Sequence, residues 1–93
     1  MDKLRLFNEV ARSAKPMHRD YTFITDLNVT FVEADLDSLD VLLICVYFSE
    51  MYGIEEEVAK TMLPTRPQEI FDFLETHKTR EPQSIDEALE YIK

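Results

Sequence analysis

The chain has 93 residues, with 19 acids against 10 Lys and Arg, a formal charge of −9 at pH 7, one cysteine and one glycine. That length fits a single small domain, residues 1–93, with one modest core. The lone Cys45 excludes internal disulfides and cysteine-rich zinc sites, and the acidity argues against nucleic acid as a partner.

One glycine and four prolines are too few turn formers for an all-β domain, so the expected fold class is all-α. No segment has the length of a membrane span, and charges interrupt MDKLRLFNEV where a signal peptide needs a continuous apolar stretch. A cytoplasmic, reducing location is the resulting expectation. The charge is laid out unevenly: residues 20–59 hold ten acids and no Lys or Arg. Such a stretch favours partners with basic docking surfaces, which it attracts at long range.

In chain order, Leu4, Phe7, Val10, Ala11 and Ala14 recur at helical spacing, predicting a first helix over residues 2–14 that closes before Pro16. Residues 15–37 read as a long connection, with 28–32 either a turn of helix or an extended piece. Asp37 or Ser38 can cap a helix of about fourteen residues, apolar nearly all round, that Gly53 stops. Such a helix is central to the core or exposes part of itself to a partner. Cys45, inside it, is expected as a buried small hydrophobe. Residues 55–62 predict a short helix ended by Pro64. Thr65-Arg66-Pro67-Gln68 has a capping-box pattern opening a helix through about Thr76, with Ile70, Phe71, Phe73 and Leu74 inward. After a polar hinge, HKTREPQ, Ser84-Ile85-Asp86-Glu87 opens a last helix on Ile85, Ala88, Leu89 and Ile92.

Ser38, flanked by Asp37 and Asp40, is the residue that asks for an explanation. Asp35, Asp37 and Asp40 do not make a calcium loop, because Leu39, Asp40 and Val46 stand where an acid, a glycine and a glutamate would be needed. Nor is Ser38 a nucleophile. There is no GxSxG elbow, His18 and His77 lie in polar stretches, and the acidic neighbours oppose a developing negative charge. A chain this short is also expected to be too small for a substrate cavity of the usual size.

Phe31-Val32-Glu33-Ala34-Asp35-Leu36-Asp37-Ser38-Leu39-Asp40 resembles the phosphopantetheine attachment site of acyl carrier proteins, whose core is D-S-L, usually D-S-L-D. Glu50-Met51-Tyr52-Gly53-Ile54-Glu55 is similar to the E-x-F-G-I-E stretch that closes that family's second helix, and residues 65–74 sit where its last helix begins. The resemblance covers residues 2–76 and implies a four-helix bundle with a long first loop. It also implies that Ser38 carries 4′-phosphopantetheine, within the motif Asp37, Leu39 and Asp40. The protein would then hold acyl groups as thioesters without itself being an enzyme. Implied partners are a phosphopantetheinyl transferase, acyl-activating or acyl-transferring enzymes, and ketosynthases, met by a monomeric carrier.

The sequence departs from the pattern in places. Two of three acids usual on the docking helix are lost, the three positions being Leu43, Ser49 and Glu50, and Val46 stands where methionine is frequent. Partner docking is therefore expected through Leu43, Val46 and Glu50, with charge from Glu55, Glu56 and Glu57. Asp35 replaces the glycine before the motif, and Glu56-Glu57 replaces an I-P pair. Residues 77–93 are an extension, and residues 65–76 and 84–92 both resemble the family's final helix. These departures suggest a specialised fatty-acid, lipid or polyketide pathway. The rival reading is a small acidic helical interaction module with no covalent cofactor, binding through the apolar face of residues 39–52. Core packing is the expected role of Tyr47, Phe48 and Met51, ahead of lining an acyl pocket.

Overall fold

Asp2 caps the first helix, α1 (Lys3–Ala14), by accepting from the Arg5 N–H at 3.1 Å. The computed structural model describes residues 2–15 and 21–92, so Pro16 and His18 lie outside the described residues. Four further helices follow among them: α2 (Ser38–Met51), α3 (Glu56–Ala59), α4 (Pro67–His77) and α5 (Ile85–Glu90). No strand occurs among the described residues, so the fold is all-α.

α2 is the centre of the molecule. Ile44, Phe48 and Met51 repeat at helical spacing on one face and are completely buried. Phe48 packs edge-on to Phe71 of α4 at 5.3 Å between ring centroids, and stacks on Phe7 of α1 at 6.4 Å. α1 contributes Leu6, Phe7, Val10 and Ala11, and α4 contributes Ile70, Phe71 and Leu74. α1 packs on both α2 and α5, while α2 also meets α3 and α4. The radius of gyration, 12.1 Å, matches the ~12 Å expected of a compact chain this long.

The described part of the long connection is held by specific hydrogen bonds rather than by regular structure. Asn8, buried on α1, accepts from the Tyr21 hydroxyl at 2.7 Å and from the Ile24 N–H at 2.9 Å. Its amide donates to the Ile24 carbonyl at 3.0 Å. Burial raises the Tyr21 hydroxyl to a pKa of about 12. Further along, the Phe31 N–H donates to the Thr65 carbonyl, and the Gln68 N–H to the Leu27 carbonyl. Residues 31–35 form a turn, and residues 28–32, for which the sequence leaves a turn of helix or an extended piece open, are neither helix nor strand.

Several expectations need correction. The helix over residues 55–62 shrinks to Glu56–Ala59, where Glu56 and Glu57 stand side by side and only exposed Lys60 bridges them. At α4 the N-cap is Arg66, with no side-chain capping bond, and Pro67 opens the helix. Glu69, not Gln68, reaches back, accepting from the Thr65 N–H at 2.5 Å and its hydroxyl at 3.1 Å. Those bonds lower the Glu69 carboxyl below its usual range. Phe73 is only half-buried, tilted against His77 with ring centroids 4.3 Å apart. Ser84 does cap α5, accepting from the Glu87 N–H at 3.1 Å.

The segment after α4 is anchored where the sequence suggests a hinge. The Thr79 N–H donates to the Tyr52 carbonyl at 2.9 Å, and its hydroxyl donates to the Gly53 carbonyl at 2.5 Å. Arg80 donates through Nη2 to the Glu50 carbonyl and through Nε to the Met51 carbonyl at 3.4 Å. These donors satisfy carbonyls that the end of α2 leaves without helical partners. Gly53 is required there twice over: its φ of +64° is left-handed, and any Cβ would collide with the Thr79 hydroxyl.

Candidate functional site

The start of α2 is fixed by a reciprocal capping box. Asp37 accepts from the Asp40 N–H at 2.9 Å, and the Asp37 N–H donates back to Asp40 Oδ2 at 3.2 Å. Both candidate caps thus resolve in favour of Asp37, which frees Ser38 from the capping role. Ser38 is the first helical residue and is exposed. The N–H groups of Ser38 and Leu39 make no hydrogen bond among the described residues, and they point out of the helix start next to the serine. Leu39 is 74% exposed, whereas Asp40 is buried.

Beneath this point lies Lys15, just past α1. Its ammonium donates to the Asp35 carbonyl at 2.6 Å and stands 3.7 Å from Asp40 Oδ2, with both side chains almost wholly buried. A buried cation here holds the loop before Ser38 and the acid that closes the capping box. Asp35 itself has φ of +58°, a left-handed conformation that favours glycine and that Asp tolerates better than most residues. The loop therefore keeps the backbone that a glycine would supply.

A groove of about 840 Å³ runs from Ser38 along α2 to Gly53. One wall is Val41, Leu42, Cys45 and Val46 of α2; the other is α3 with Met62 and Leu63. Its volume lies within the ~300–1,000 Å³ range of small-molecule sites, so the expectation that the chain is too short for such a cavity is wrong. α3 is a single turn that meets α2 without burying any of its own residues fully, which leaves the groove open between them. Cys45 is half-buried in this wall, and desolvation pushes its thiol up to about 11, which keeps it protonated and inert. Arg80, exposed, lines the groove near the C-terminal end of α2.

The sequence-derived partner residues share this side of the molecule. Leu42 and Val46 are exposed at 61% and 45%, with Leu43 exposed at 36% beside them. Glu50, Glu55, Glu56 and Glu57 are exposed, and of these Glu50 and Glu56 line the groove. Phe48 and Met51 are core, and neither they nor Tyr47 line the groove. Among the described residues no cluster of His, Cys, Asp or Glu has the arrangement of a metal site. No helix among them is long and apolar enough to cross a membrane.

Sequence reasoning missed Lys15, Asn8, Thr79 and Arg80. Asn8 had a signal: it falls between Leu4 and Ala11 on the inward stripe of α1, where a polar residue needs a partner. Arg80 had none, because its acceptors are backbone carbonyls some thirty positions away.

No model of a known protein family matches this chain, and neither a curated protein nor a solved structure matches it.

Proposed function

We propose that this protein is an acyl carrier, with α1 to α4 forming an acyl-carrier-like bundle and α5 added to it. It would carry acyl intermediates on a 4′-phosphopantetheine arm at Ser38. The observation that carries the reading is the position of Ser38. It is exposed at the first turn of a capped helix, has N–H groups beside it that make no hydrogen bond among the described residues, and opens onto a largely apolar groove.

Each part suits that chemistry. Attachment needs an accessible hydroxyl rather than an activated one. The Ser38 Oγ attacks the phosphorus of coenzyme A that bears the arm, the pyrophosphate bond breaks, adenosine bisphosphate leaves, and the transferase takes the serine proton. The new phosphodiester carries negative charge. The helix dipole and the N–H groups of Ser38 and Leu39 favour that charge where Asp37 and Asp40 alone would oppose it. The bound arm supplies a thiol for thioester formation. The groove wall of Val41, Leu42, Cys45 and Val46 offers the arm an apolar surface to lie along, which brings the thioester and its acyl group to the far part of the groove. Leu43, Val46 and the acidic rim suit docking on partner enzymes with basic surfaces, ketosynthases and acyl transferases among them.

The test is intact-mass measurement after incubation with coenzyme A and a broad-specificity phosphopantetheinyl transferase. The expected outcome is a gain of one phosphopantetheinyl group on wild type and none on Ser38→Ala. An unchanged wild-type mass rejects the carrier and leaves the interaction module, whose binding face would be the exposed Leu39, Leu42, Leu43 and Val46.

A further inference from the structure

The groove has two unlike ends. Ser38 stands at one, and Arg80, exposed and contributed by the segment beyond α4, stands at the other. The guanidinium has five N–H donors, and the Glu50 and Met51 carbonyls engage it through Nη2 and Nε. One face of it rests 5.0 Å from the centroid of the Tyr91 ring, which fixes its plane. Among the described residues no carboxylate lies within ion-pair distance of it. Lys60, the other cation lining the groove, stands within 4 Å of the carboxylates of both Glu56 and Glu57. Glu50 also lines the groove but forms no ion pair with Arg80. A largely apolar groove, with Glu50 on its rim, therefore ends beside a positioned, solvent-exposed cation with donors to spare.

Length adds a second constraint. From Ser38 to Met51, α2 rises about 20 Å. An extended phosphopantetheine arm has about thirteen bonds from phosphorus to sulfur and advances ~16 Å at the per-bond rise of an extended chain. A thioester laid along the groove from Ser38 thus reaches Arg80 with only about three to five further chain atoms.

From these two facts, and resting on the carrier reading above, we infer that the cargo is a short acyl chain with an acceptor oxygen at its distal end. Arg80 receives that oxygen. Arg80 is then a specificity-determining residue, and the C-terminal segment that supplies it is what makes this carrier selective. A methyl-ended chain of the same length offers the guanidinium's spare donors no acceptor. A long chain must displace Arg80 or leave the groove.

The experiment loads Ser38 from pentanoyl-, 4-oxopentanoyl-, succinyl- and dodecanoyl-coenzyme A and compares thioester hydrolysis rates, with thermal melting as a second readout. The first three chains are close in length, and the keto and carboxylate arms separate a neutral acceptor from a charged one. The expected result is hydrolysis about tenfold slower for at least one oxygen-ended cargo than for pentanoyl, the scale of a hydrogen bond to a charged group. The difference should vanish in Arg80→Met and partly survive in Arg80→Lys. Equal protection of pentanoyl, better protection of dodecanoyl, or a difference that persists in Arg80→Met overturns the inference and leaves Arg80 as a helix cap only. The wild-type comparison needs no variant, so it stands even if Arg80→Met unfolds. Failure of all four cargoes to load on Ser38 instead rejects the carrier reading, and the cargo inference with it.

Discussion

Asp35 shows how a single residue can break a sequence pattern without breaking the structure. The acyl-carrier pattern has glycine there, and the chain has an aspartate held at φ +58° with its carbonyl accepting from buried Lys15 at 2.6 Å. Aspartate tolerates the left-handed region at modest strain, so the turn into Ser38 forms without a glycine. A β-branched residue does not tolerate it. We expect Asp35→Val to lose about 1–3 kcal/mol of stability. Asp35→Gly should stay within about 1 kcal/mol of wild type, since relief of strain is offset by a more flexible unfolded chain. Urea titration of the three proteins checks this, and equal stability for Val and Gly would refute it. At this scale the cap of α2 was legible as a choice between Asp37 and Ser38, since both are local to the helix start. Lys15 was not, because nothing in a single sequence says that a lysine after a helix will be buried twenty-five residues from its carboxylate partner.

At the scale of elements, α1 and α4 were readable from their own periodicity, with Pro67 at the head of α4. By contrast α2, apolar nearly all round, was readable from its punctuation: a cap at Asp37 or Ser38 and Gly53 after its end. α3 was overextended, because the propensity of Glu, Val, Ala and Lys for helix does not outweigh the absence of any buried anchor. The apolar character of α2 was legible, but its division was not. One face is core, and the other combines the groove with the exposed Leu39, Leu42, Leu43 and Val46. The exposed face has a consequence for docking. If partners meet this helix through apolar contact, Leu43→Glu with Val46→Glu should lower the catalytic efficiency of a partner acyl transferase by at least about tenfold, the effect of losing one modest hot spot. Because both residues are partly exposed, the fold should persist, which circular dichroism checks. Full activity in a folded double variant would show that the acidic rim at Glu50 and Glu55–Glu57 carries docking alone.

Taken as a whole molecule, the chain binds its tail into the same core as its head. Ile85 and Ala88 of α5 are buried in the core cluster, α5 packs on α1, and Thr79 and Arg80 satisfy the last carbonyls of α2. The sequence marked residues 77–93 as an extension because helix spacing shows where an element lies and not what it touches. An appendage would be removable, whereas these contacts make it structural. Ending the chain after His77 exposes apolar surface on α1 and strips α2 of its C-terminal donors. Losing one large and one small buried side chain together with these caps costs about 3–6 kcal/mol. A domain of this size has only about 5–14 kcal/mol in total. We therefore expect the shortened protein to melt many degrees lower or to lose its cooperative transition, as read by circular dichroism on heating. If it melts as the full chain does, the tail is dispensable to the fold. The contacts of Arg80 would then serve the groove rather than the stability of α2.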